Sequence, residues 1–306
     1  MLSIWNDGSK TGRKVLNMEL KGLYTALVTP FRGGAVDYGK LRELVEMQIE
    51  GGVDGIVPVG TTGESPTLTM EEHRKVIAEV VKAAAGRCVI MAGSGANSTA
   101  EAIHLTKAAK EDGADCSLQV TPYYNKPSQE GLYRHFSTIA DSCDLPIVLY
   151  NVPGRTGTPI AVDTIARLSR NARVLGVKEA AGSVERVSEI LSACDTTVMC
   201  GDDSLTVPMM SVGARGVISV ASNIIPKELS EMVNACLAGD FRKALPYHRK
   251  FYRLFKHLFI ESNPIPVKAA MAMLNMLEEE YRLPLCPISE GNREILRKTL
   301  FDAVGK

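Results

Sequence analysis

The sequence predicts an α/β chain folded as a closed (β/α)8 barrel, a ring of eight parallel strands alternating with helices, followed by a C-terminal helical appendage. Three observations lead there. Eight short runs of apolar and β-branched residues each end on a Gly, Pro or polar cluster, stretches of helical periodicity separate them, and glycines recur where those helices stop.

In chain order the runs occupy residues 24–30, 54–60, 88–93, 116–122, 146–152, 174–179, 197–202 and 216–222. Between them, residues 38–50, 70–85 and 99–112 carry apolar side chains three and four apart, as one buried helix face requires. Gly52-Val53-Asp54-Gly55, Gly113-Ala114-Asp115 and Gly213-Ala214-Arg215-Gly216 each close a helix ahead of a buried run, a place where glycine is favoured. Strict alternation implies parallel strands joined by right-handed crossovers, which leaves a closed barrel or an open doubly wound sheet; a count of eight favours the closed, TIM-type barrel. Beyond Pro226 no strand signal follows, and residues 251–258 and 266–277 read as amphipathic helices. The expected division is an N-terminal extension over 1–20, a catalytic barrel over 21–239 and a helical region over 240–306. The last is too small to fold alone and should pack on the barrel or on a neighbouring subunit.

With 35 Lys+Arg against 35 Asp+Glu in 306 residues, the formal net charge is zero, so no global field draws in nucleic acid or an anionic membrane. A small-molecule partner is expected. The 7 cysteines are scattered without a CxxC pair, which suggests neither a disulfide framework nor a zinc site and fits a reducing cytoplasm. The 5 histidines show no metal-ligand spacing. Residues 1–20 contain no apolar run long enough for a signal peptide core or a membrane span and read as poorly ordered. Gly93-Ser94-Gly95 with Ser98 is an incomplete dinucleotide fingerprint of little weight.

Barrels of this type work at the C-terminal ends of their strands. The polar residues expected there are Thr29-Pro30, Gly60-Thr61-Thr62-Gly63-Glu64, Thr121-Pro122-Tyr123-Tyr124, Tyr150-Asn151, Lys178-Glu179 and Gly201-Asp202-Asp203. Lys178 carries the most weight, because it follows Val174-Leu175-Gly176-Val177 in a strand covered on both faces. Alternation puts it on the side of Gly176, and if that side is the lumen the glycine leaves room for a ligand. A lysine amine attacks a ketone only when neutral, a state that desolvation favours. Taken alone, a strand-end lysine more often reaches solvent. Tyr150 closes the fifth strand, where a phenol can pass protons to and from a carbinolamine on Lys178, or simply sit in the core with its hydroxyl at the surface. Thr61 and Thr62 lie in a Gly-bracketed turn whose hydroxyls and amides suit a small carboxylate, though such a turn is also an ordinary connection. Arg155, in Pro153-Gly154-Arg155-Thr156-Gly157, suits bidentate carboxylate recognition, while most loop arginines are only solvated.

Taken together, Gly60-Thr61-Thr62-Gly63-Glu64, Thr121-Pro122-Tyr123-Tyr124-Asn125-Lys126-Pro127, Tyr150-Asn151-Val152-Pro153-Gly154-Arg155-Thr156-Gly157, Gly176-Val177-Lys178-Glu179 and Gly201-Asp202-Asp203 resemble the dihydrodipicolinate synthase and N-acetylneuraminate lyase family. The resemblance runs from about Lys21 to the C-terminus, in order and at barrel-strand spacing. It implies that Lys178 is the Schiff-base lysine and Tyr150 the proton shuttle beside it. Thr61 is then the hydroxyl linking Tyr150 to Tyr124, which a neighbouring subunit donates in a homotetramer built as a dimer of dimers. It further implies that Thr62 binds the pyruvate carboxylate and that Gly201 and Ile218 supply backbone groups near the substrate. Arg155 and the Thr61-Thr62 pair resemble the synthase branch. That branch condenses pyruvate with aspartate semialdehyde to 4-hydroxy-tetrahydrodipicolinate, in lysine and diaminopimelate biosynthesis, without a metal or organic cofactor. In lysine-inhibited members the feedback ligand lysine binds at positions matching Ser65, His73, Asn97, Glu101 and Tyr123; Met70 and Pro66 depart from the His and Ala of one such type. Asn97 and Glu101 are alternatively a plain helix N-terminus. Rival readings are a pyruvate-dependent aldolase or lyase acting on a sugar acid, and a noncatalytic ligand-binding barrel.

Overall fold

The computed structural model describes residues 18–305, so most of the extension expected over 1–20 lies outside the described residues. Eight strands close into a parallel barrel: β1 (Gly22–Ala26), β2 (Gly55–Val57), β3 (Val89–Gly93), β4 (Cys116–Val120), β5 (Ile147–Asn151), β6 (Val174–Glu179), β7 (Thr197–Cys200) and β8 (Gly216–Ser219). Each strand pairs with its neighbours in sequence, and β1 closes the ring on β8 from Gly22↔Gly216 to Thr25↔Ser219. The barrel helices are α1 (Tyr38–Glu50), α2 (Met70–Ala84), α3 (Thr99–Glu111), α4 (Gln129–Ser142), α5 (Val162–Leu168), α6 (Val184–Ala193), α7 (Thr206–Ser211) and α8 (Pro226–Leu237). Asp37, Thr69, Ser98, Ser128 and Ser183 start five of them, each side-chain oxygen accepting from the amide of the third residue on. Thr69 and Glu72 complete a reciprocal capping box on α2.

Except for β6, which fills its run, and β3, which reaches the end of its run, the chain leaves the ladder before the apolar run ends. After β2 it turns back sharply at Val59, whose φ is 49°, and Thr29 Oγ1 donates to Gly63 O at 2.7 Å across the mouth. Gly93 permits this fold-back: a Cβ there would lie 2.5 Å from Val59 O.

Two apolar layers follow from the closure. One lies between the strands and the helices; the other fills the lumen with Leu20, Tyr24, Met91, Val148, Met199 and Ile218. Leu20 therefore belongs to the barrel floor rather than to a loose extension. The room expected for a ligand at Gly176 is also taken up by this floor. A Cβ at Gly176 would lie 2.3 Å from Thr197 O and 3.1 Å from Leu20 Cδ2, so that glycine serves packing beneath the site.

The appendage comprises α9 (Phe241–His257), α10 (Ile265–Met273) and α11 (Glu290–Val304). α9 begins well before the periodicity expected from residue 251, and α11 had no counterpart in the sequence reading. α10 is tied to the turn after β2 by a buried ion pair: Lys268 Nζ donates to Glu64 Oε1 at 2.6 Å, with both side chains 0% exposed. The Phe31 ring centroid stands 4.3 Å from the same ammonium. Arg282 reinforces the joint, pairing with Glu72 at 2.6 Å and giving its backbone amide to Glu64 Oε2 at 3.3 Å. Among the described residues no helix is long and apolar enough to cross a membrane.

Candidate active site

The register of β5 and β6 sets Tyr150 opposite Lys178 and Asn151 opposite Glu179. Because side chains alternate along a strand, the first pair faces the lumen and the second faces the helices. Lys178 Nζ lies 4.2 Å from the Tyr150 ring centroid, and the lysine is only 6% exposed. Behind it, Glu179 accepts from Asn151 Nδ2 at 2.8 and 2.9 Å, from the Ala181 amide at 2.9 Å and from Arg186 Nε at 2.9 Å. Burial raises the Glu179 carboxyl pKa against the pull of Arg186. A fully bonded network of this kind fixes the rung on which Tyr150 and Lys178 meet.

Gly201, just past β7, is the glycine that leaves room beside the amine. A Cβ there would come within 3.2 Å of Lys178 Cε and 2.6 Å of Ala180 Cβ. The next aspartate but one, Asp203, is wholly occupied with structure: it accepts from Ser219 Oγ, from the Val220 amide at 3.1 Å and from the Ala221 amide at 3.0 Å.

A cavity of about 610 Å³ opens above the lumen, lined by Thr61, Thr62, Tyr150, Arg155, Lys178 and Gly201. In the turn after β2, the amides of Gly63, Glu64 and Ser65 return to Gly60 O and Thr61 O, whereas those of Thr61 and Thr62 have no such partner among the described residues. Two free N–H groups beside hydroxyls suit a carboxylate. Asn263, which the sequence reading missed, ties the two ends of the mouth together. Its Nδ2 donates to Thr62 Oγ1 at 2.9 Å, and its backbone carbonyl accepts from the Arg155 guanidinium at 3.2 Å. No local pattern marks it, since it arrives from the appendage between α9 and α10.

The same cavity extends to Ser65, His73, Glu101 and Tyr123. His73 sits on α2 with Nε2 2.9 Å from Gly93 O, and burial lowers its pKa. Three of the expected residues do not line it. Asn97 spends its amide on Tyr123 O at 3.3 Å, Ile218 packs in the lumen floor, and Tyr124 stands 91% exposed with a φ of 72°. Among the described residues no group of three or more His, Cys, Asp or Glu side chains is placed to hold a metal ion.

The model of the Dihydrodipicolinate synthetase family matches residues 19–303. The chain belongs to that family. A 4-hydroxy-tetrahydrodipicolinate synthase of Hydrogenobaculum sp. (strain Y04AAS1) is 53% identical over 283 residues, 92% of this chain and 98% of that one. The solved structure of the 4-hydroxy-tetrahydrodipicolinate synthase from Methylacidiphilum fumariolicum SolV superposes with a TM-score of 0.93 at 51% identity, covering 94% of this chain and 97% of that one. The synthase of Cyanidioschyzon merolae, solved with lysine bound, gives a TM-score of 0.90 at 41% identity over 93% of this chain and 98% of that one. As a dihydrodipicolinate synthetase family member, the chain is a class I, pyruvate-dependent lyase with 4-hydroxy-tetrahydrodipicolinate synthase activity.

Proposed function

We propose that Lys178 carries this activity as the Schiff-base residue, in the condensation of pyruvate with aspartate semialdehyde. The observation that supports it most is the lumen pair of Lys178 and Tyr150, with the nitrogen 4.2 Å from the phenol ring, at the base of the shared cavity. The neutral amine adds to the keto carbon of pyruvate, and the carbinolamine loses water to leave a protonated imine. Loss of a methyl proton gives the enamine, whose carbon attacks the aldehyde. The amino group of the second substrate then displaces Lys178 from the imine carbon, closing the ring and freeing the lysine. The imine is itself the electron sink, so no further cofactor is required.

Tyr150 moves the protons of imine formation, with Thr61 relaying them to Tyr124 of the partner subunit. Thr62 and the free amides of its turn hold the pyruvate carboxylate, Arg155 takes the carboxylate of aspartate semialdehyde, and Gly201 and Ile218 offer backbone groups beside the reacting carbons. The exposed position of Tyr124 supports its use by a second copy; the assembly proposed is a cytoplasmic homotetramer, a dimer of dimers. Borohydride reduction in the presence of pyruvate tests the central step. Irreversible mass is expected at Lys178, and a folded Lys178→Ala variant that is labelled to the same extent would refute it. Sugar acids offered in the same assay separate the aldolase and lyase reading, which activity on them alone would favour.

Lysine is proposed as a feedback ligand at Ser65, His73, Asn97, Glu101 and Tyr123, with Glu101 meeting its ammonium. The lysine-bound relative supports this. Inhibition by lysine should be lost in Glu101→Gln; equal inhibition of both forms would remove Glu101 from the site.

A further inference from the structure

Adjacent aspartates after β7 have separate fates. Asp203 is bonded on both oxygens by β8 and the turn that follows it. Asp202 occupies the position before the following helical turn, where an aspartate ordinarily caps, yet its side chain makes no capping bond. Its Oδ2 is buried with no hydrogen-bond partner among the described residues, and the residue lines the cavity together with Lys178. A buried, unpartnered carboxylate oxygen is costly, and the backbone of residue 202 is already held through its carbonyl by the Leu205 amide at 2.9 Å. The Gly182 amide bears on the carboxyl group, yet Oδ2 itself has no partner and shares the cavity with Lys178.

On the reading of Lys178 as the Schiff-base residue, we propose that Asp202 is the counter-charge that stabilises the positively charged imine nitrogen formed between Lys178 and pyruvate. When Nζ bonds to the keto carbon and water leaves, the nitrogen keeps one hydrogen and a positive charge on a residue only 6% exposed. The carboxylate supplies the opposite charge without taking part in bond making. Because the attacking amine is neutral and the imine is charged, the carboxylate favours the imine over the free amine, so that adduct forms at lower pyruvate concentration, and the later steps are left to other groups. Burial raises the Asp202 carboxyl pKa, opposed first by Lys178 of β6 and then by Lys256 of α9 and the Gly182 amide. Asp203 beside it and the Cys200 thiol of β7 also act on it, and Tyr150 of β5 lines the same cavity. As the pH falls through the raised value, the counter-charge is lost and pyruvate binding weakens with it.

The test measures the pyruvate concentration that gives half-maximal borohydride-trapped adduct, from neutral to mildly acidic pH, in the full-length protein. Asp202→Asn is expected to raise that concentration by at least about tenfold at neutral pH and to flatten its pH dependence. Asp202→Glu, which keeps the charge, should stay within a few-fold of wild type. Thermal melting is followed in parallel with Asp203→Asn, and only the latter should lose stability. Equal trapping by wild type and folded Asp202→Asn overturns the proposal, as does Asp202→Glu behaving like Asp202→Asn. A stability loss in Asp202→Asn as large as that of Asp203→Asn makes the group structural and overturns it too. Absence of pyruvate adduct in the wild type would instead refute the Lys178 reading on which the proposal rests.

Discussion

His135, on α4, is buried with Nδ1 2.9 Å from Thr99 Oγ1, and burial lowers its pKa from 6.5 to about 4. Between those values the unfolded chain takes up a proton that the folded chain refuses, so stability falls as the pH drops from about 6.5 to about 4, by about 3 kcal/mol at most. His135→Gln should flatten the thermal midpoint over that window; an unchanged acid slope would assign it to other groups. Residues whose placement depends on their own strand were legible in the sequence: Lys178, Tyr150, Arg155 and the Thr61-Thr62 turn all lie at the end of the cavity where alternation and strand ends put them. Gly201 rather than Gly176 borders the amine, because which glycine does so is decided by stagger between strands, which a single strand does not reveal. Asn263 was invisible for a related reason. Its two partners are Thr62 and Arg155, and no pattern spans such separations.

A buried ion pair joins the appendage to the turn after β2. Removing one partner of the buried Glu64–Lys268 pair leaves the other charged and enclosed, a change that typically costs about 3–5 kcal/mol. Lys268→Met and Glu64→Gln are each expected to destabilise on that scale, and the double variant by less than their sum. Urea unfolding of the three variants checks this; strict additivity would mean the pair is uncoupled. Glu64 also bounds the Thr61-Thr62 turn, so loss of the pair should weaken pyruvate trapping along with stability. The first three barrel helices were readable from periodicity, and the glycine stops marked the ends of helices ahead of three strands. α11 and the first half of α9 were not, because their faces are dominated by charged side chains and only a few positions, such as Leu296, Leu300 and Ala244, reach the core.

For the whole molecule, closure of the ring was legible from the count of strands, whereas assembly depends on surfaces that a lone chain does not complete. Mixed oligomers test the proposed exchange of Tyr124. Neither Tyr124→Phe nor Lys178→Ala should turn over appreciably alone, but reassembled together they should regain activity, since one site then combines an intact lysine with an intact tyrosine from its neighbour. No recovery would place the tyrosine outside the relay or within its own subunit. The packed floor of Leu20, Tyr24 and Met91 carries a kinetic corollary. A chamber closed at its base is reached from the strand-end mouth, where both reactants enter and the expelled water departs. Pyruvate must be tethered before the aldehyde arrives, and an aldehyde that comes first bars the way. Because imine formation releases water before the aldehyde binds, initial-rate plots are expected to run parallel, with surplus aldehyde competing against pyruvate.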